Sequence, residues 1–88
     1  MVKWRLVYSK RAQKDSSKLK DCGLKEKVEN LLQIIVVDPY ASPPFFEKLS
    51  GVENIYSRRI NIRHRLVYEV REKDLTIIVR MMFKHYGD

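Results

Sequence analysis

Residues 54–71 read NIYSRRINIRHRLVYEVR, and how this stretch folds decides the architecture of the chain. Its aromatic and β-branched residues recur with period two, the spacing that sends alternate side chains to opposite faces of a strand. The clearest segment is 64–71, where His64, Leu66, Tyr68 and Val70 share one face and Arg65, Val67 and Glu69 the other. A companion strand is expected over 54–60, with Asn61-Ile62-Arg63 as the hairpin turn that pairs the two antiparallel. A third strand is expected over 75–84, joined through Glu72-Lys73-Asp74. The same run carries Arg58, Arg59, Arg63 and Arg65, four arginines within eight residues. Period two divides them between faces. Arg58 points away from Arg59, so the two have different tasks.

Upstream, residues 2–8 (VKWRLVY) alternate loosely and are rich in β-formers, which predicts a strand. Ser9 stands where a helix N-cap belongs, ahead of the polar run KRAQKDSSKLK, with Ala12 and Leu19 as its inward candidates. Gly23 is a natural stop. Over 24–37, Leu24, Val28, Leu31, Leu32 and Ile35 fall at i, i+4, i+7, i+8 and i+11, an apolar stripe for the core face of a second helix. Asp38-Pro39 ends it, because a residue before proline avoids helical geometry. Residues 38–53 (DPYASPPFFEKLSGVE) connect to the strands, with FFEKL as a candidate short extra strand. The expected fold is α+β in the order β-α-α-β-β-β: a twisted antiparallel sheet with two N-terminal helices on one face. The other face is then open, and its polar side chains are available for binding.

The chain has 88 residues, enough for one domain with a modest core. No apolar run approaches the length of a membrane span, and MVKWRLVYSKR has no apolar signal core, so a cytoplasmic protein is expected. Cys22 is the only cysteine, and with His64 and His85 the only histidines, no metal or cofactor site is expected. A formal net charge of +7 favours an anionic partner, either nucleic acid or an acidic protein segment.

There is no glycine-rich phosphate loop and no nucleophile-elbow motif. What remains suits cofactor-free cleavage of an RNA phosphodiester. That reaction needs a base for the 2′-hydroxyl, a cation for the charge that builds on the phosphate, and an acid for the departing 5′-oxygen. Glu47, the arginines of 58–65 and His85 offer those groups, and arginine's planar fork matches phosphate oxygens two at a time. Spacing alone does not bring them together, and Glu53 in the same segment serves equally well. His64, within a strand, reads as a packed structural histidine.

YSRRINIRHRLVYEV, with the preceding PPFFEKLSG and the terminal KHY, resembles the Txe/YoeB family of bacterial type II toxins, within the RelE/ParE superfamily. The resemblance covers nearly the whole chain and is sharpest over residues 43–70 and 84–86. It implies a RelE-like fold, similar to small microbial ribonucleases, and a ribosome-dependent mRNA endonuclease that inhibits translation. By the resemblance Glu47, in its Glu-Lys-Leu context, is the general base, Arg65 stabilises the phosphate and His85 is the general acid. Arg59 and Tyr86 line the substrate site, which leaves Arg58 and Arg63 as structural or surface charges.

The partners implied are an acidic, YefM-like antitoxin, the ribosome and mRNA, operator DNA only through the antitoxin complex, and a second copy in a homodimer. Two other functions share this fold and charge: a non-catalytic, ParE-like inhibitor of DNA gyrase, and a basic RNA-binding domain without activity.

Overall fold

The hairpin expected at 54–71 is the centre of the molecule. The computed structural model describes residues 4–43, 45–49, 51, 53–61 and 63–82. Strands β3 (Ile55–Arg59) and β4 (Arg65–Arg71) pair antiparallel, with Tyr56 opposite Tyr68, Ser57 opposite Val67 and Arg59 opposite Arg65. The Asn61 side chain closes the turn: its Oδ1 accepts from the backbone N–H groups of Arg63 and His64 at 2.9 and 2.8 Å. An asparagine that imitates a backbone turn in this way is a common hairpin device.

Around this hairpin the elements follow in the expected order. They are β1 (Arg5–Tyr8), α1 (Lys10–Asp21), α2 (Lys25–Val37), β2 (Phe46–Lys48), then β3, β4 and β5 (Thr76–Met81). FFEKL supplies β2, the extra strand. The sheet order is β1-β5-β4-β3-β2. It is mixed rather than wholly antiparallel, because β1 lies parallel to β5, with Leu6 opposite Ile77 and Tyr8 opposite Val79. A parallel neighbour requires a long crossover, and the two helices that follow β1 provide it.

Both helices bury the faces that their periodicity assigns to the core. Ser9 caps α1, its Oγ accepting from Ala12 N at 3.1 Å, and Gly23 at φ +73° follows the helix end. Val28, Leu31, Leu32 and Ile35 of α2 join Ala12 and Leu19 of α1 over Leu66, Tyr68, Val70, Ile77 and Val79 of the sheet. Asp15 of α1 is also buried, which the polar look of that helix did not suggest. Its Oδ2 accepts from Met82 N at 3.1 Å and so ties α1 to the end of β5. Opposite Val67 and Tyr68, β5 presents Met81 and Val79, so Arg80 is an extra residue in that strand.

Candidate active site

Strand alternation sorts the side chains of β2, β3 and β4 into two sets. Tyr56, Arg58, Leu66 and Tyr68 turn toward the helices, with Ile60 after β3 joining them in the core. Ile55, Ser57, Arg59, Arg65, Val67 and Glu69 turn to the other face, where Ile55, Val67 and Met81 form a small apolar cluster with Leu49.

Glu47 joins this second face from β2. Its register partner is Ser57, which in turn pairs with Val67, so one cross-strand row runs Glu47–Ser57–Val67–Met81. Arg65, one row away, reaches across: its Nη1 donates to Glu47 Oε1 at 3.0 Å. The guanidinium side chain is 19% exposed and the carboxylate side chain 49%, so the pair sits at a surface and not in the core. Arg59 stands opposite Arg65 and is exposed. The result is a carboxylate with two arginines beside an apolar floor, open to solvent. Such a group can accept a proton and hold an anionic oxygen in one place.

Three of the five residues expected to form the site, Glu47, Arg65 and Arg59, are therefore neighbours. His85 and Tyr86 lie outside the described residues. The carboxylate paired with Arg65 is that of Glu47, while Glu53 is exposed in the turn before β3. His64 is half-buried beside the hairpin turn, and its carbonyl accepts from Ile60 N at 2.9 Å. Farther along the same face, Glu69 accepts from Arg71 Nε at 3.1 Å and Arg80 Nη1 at 2.8 Å. Among the described residues, no three His, Cys, Asp or Glu side chains gather as metal ligands would, and no helix is long and apolar enough to cross a membrane.

Two features of the site went unread in the sequence. Ser57 is buried, and its Oγ has no hydrogen-bond partner among the described residues. Arg58, expected as a structural or surface charge, is wholly buried on the helix side beneath β2. Its Nε donates to the Tyr68 hydroxyl at 3.1 Å and its Nη2 to the Pro39 carbonyl at 3.1 Å. Burial pushes the Tyr68 phenol above its ordinary pKa, and the neighbouring Arg58 charge opposes that rise. The signal was there in part, since Tyr56, Arg58 and Ile60 share one face by period two.

With this geometry in hand, known proteins place the chain. The family model of the YoeB-like toxin of bacterial type II toxin–antitoxin systems matches residues 8–86. Toxin YoeB of Synechocystis is 39% identical over 62 residues, 66% of this chain and 69% of that protein. The YoeB/ParE toxin of Agrobacterium tumefaciens superposes with a TM-score of 0.84 at 28% identity, covering 93% of this chain and 99% of that one. The YoeB–YefM complex of Staphylococcus aureus matches with a TM-score of 0.77 at 31% identity, covering 94% of this chain and 98% of that one. The mixed sheet with its paired helices is an architecture shared with these toxins, and the chain is a member of the YoeB-like toxins of bacterial type II toxin–antitoxin systems.

Proposed function

We propose that this toxin is an endoribonuclease that cuts mRNA on the ribosome, without a metal, by turning the 2′-hydroxyl on its own phosphodiester. The observation that supports this most directly is the Glu47–Arg65 pair, 3.0 Å apart on the open face, with Arg59 alongside. Glu47 takes the proton from the 2′-hydroxyl, and the freed oxygen attacks phosphorus. Arg65, assisted by Arg59, neutralises charge on the non-bridging oxygens as the pentacoordinate state forms. His85 gives its proton to the departing 5′-oxygen, and Tyr86 offers a ring on which an unstacked base can lie. The products are a 2′,3′-cyclic phosphate and a 5′-hydroxyl.

Codon choice then belongs to the ribosome, which presents the message, and electrostatic attraction for its RNA follows from the net charge of +7. A YefM-like acidic antitoxin neutralises the same charge and covers the site, and the toxin works in the cytoplasm, where its partners are. A homodimer is the assembly proposed for the toxin apart from its antitoxin.

Induction in a bacterial host tests the reading. Wild-type toxin should arrest growth and create new transcript ends within coding regions. Glu47→Ala and His85→Ala should each relieve the arrest while the protein remains folded by circular dichroism. Full toxicity in both variants removes the assigned base and acid. Arrest with DNA damage and no new transcript ends identifies a gyrase inhibitor instead.

A further inference from the structure

We infer that Arg58 is a positioning residue of the site: from the buried side of the sheet it clamps β2, and with it the Glu47 carboxylate, onto β3. The inference rests on Glu47 as the general base proposed above.

β2 needs such a clamp. It has three residues and, among the described residues, pairs with β3 alone. Residues 39–43 and Phe45, which lead into it, carry no regular structure, so the edge strand has little backbone pairing to hold it. Arg58 reaches both ends of this approach. At one end, its Nη2 donates to the carbonyl of Pro39, which also accepts from the Tyr68 hydroxyl at 2.8 Å. Arg58 Nε donates to that same hydroxyl oxygen, so Arg58, Tyr68 and Pro39 close a ring of hydrogen bonds. At the other end, the guanidinium carbon lies 4.8 Å from the centre of the Phe46 ring.

Phe46 is the register partner of Arg58 and the residue immediately before Glu47. Its ring also meets Tyr56 edge-on at 5.8 Å and Tyr40 at 6.5 Å. Neighbouring residues of a strand point to opposite faces, so fixing Phe46 below the sheet fixes the direction of Glu47 above it. Only a planar, always charged group can donate in two directions while stacking on a ring, which makes lysine a poor substitute here. Arg58 is wholly buried on the side of the sheet opposite the face that carries Arg65, so its influence on catalysis passes through β2.

Arg58→Lys is the first test. Three readouts are compared with wild type: hydrogen exchange at the Leu49 amide, which donates to Ile55 O at 3.0 Å just beyond β2; affinity for programmed ribosomes; and the single-turnover cleavage rate. The variant is expected to keep the protection of β4 and β5 amides and its ribosome affinity. Exchange at Leu49 should accelerate about tenfold or more, and cleavage should slow about 10²-fold, the scale of a reacting group displaced by about an ångström. A purely structural arginine would lower the melting temperature and leave the rate per folded molecule unchanged, which overturns the inference.

Should Arg58→Lys not fold, Phe46→Leu removes the stacked ring from a half-buried position. The same pattern is expected there, and wild-type exchange and rate overturn the clamp. Glu47→Gln runs beside both variants. If it cleaves at the wild-type rate, the base assignment fails, and the clamp is then judged on Leu49 exchange alone: acceleration upholds it and unchanged exchange overturns it.

Discussion

At the scale of single residues, the molecule is a study in adjacent arginines with opposite fates. Arg58 is wholly buried among rings and oxygens, while Arg59 is exposed opposite Arg65. Period two predicts that they part, and it also predicts that Arg65 shares a face with Arg59. It cannot say which face is covered, because burial depends on where the helices land. For that reason a buried guanidinium was legible only as a residue unlike its neighbour. Ser57 is the opposite case, a small hydroxyl buried with no partner for its Oγ among the described residues. A buried polar group without a bond contributes desolvation cost and nothing in return. Ser57→Ala should therefore change stability by less than about 1 kcal/mol, with either sign, in urea unfolding. A loss of about 2 kcal/mol or more would mean that the hydroxyl is bonded in the folded protein.

At the scale of elements, helix boundaries and the central hairpin were the readable parts. Ser9, Gly23 and Asp38-Pro39 act locally, through caps, a left-handed residue and a steric clash, so sequence neighbours suffice to place them. The parallel docking of β1 on β5 was not readable. It joins residues about seventy positions apart and is set by the path of two helices, not by any local pattern. Asp15 was missed for the same reason, since its partner, Met82 N, lies at the far end of the chain.

One link between elements has a testable pH dependence. Tyr40, just after α2, donates its hydroxyl proton to Glu72 Oε2 at 2.6 Å, in the turn between β4 and β5. Burial, and then the hydrogen bond and charge of Glu72, push the phenol well above its ordinary value of 10.0. A pKa raised by folding means that the protonated form favours the folded state. The contribution is thus complete below pH 10 and is lost as pH climbs through the higher folded value. The stability of wild type should begin to fall above pH 10, and Tyr40→Phe should show a shallower fall of stability with pH over the same range. An identical fall in both would place the alkaline sensitivity elsewhere.

At the scale of the whole molecule, two helices cover one face of the sheet and leave the other to carry Glu47, Arg59 and Arg65. Charge, fold class and the family motif were all visible in 88 residues, because each is spread over many positions. The meeting of Glu47 with Arg65 was expected from the family resemblance and not from spacing, since it depends on a short edge strand finding its register with β3. The same layout puts Arg59, Arg65 and the Glu47 carboxylate on one open face, the face to which the proposed reading assigns RNA. The measurement that bears most directly on this account is cleavage by purified toxin of a defined mRNA, with and without programmed ribosomes and in the presence of a metal chelator. The expected result is a cut only on the ribosome, unaffected by the chelator, with a 2′,3′-cyclic phosphate at the new end and a rate reduced about 10²–10⁴-fold in Glu47→Gln. Equal cutting by Glu47→Gln, or a new end bearing a 3′-hydroxyl, would contradict it.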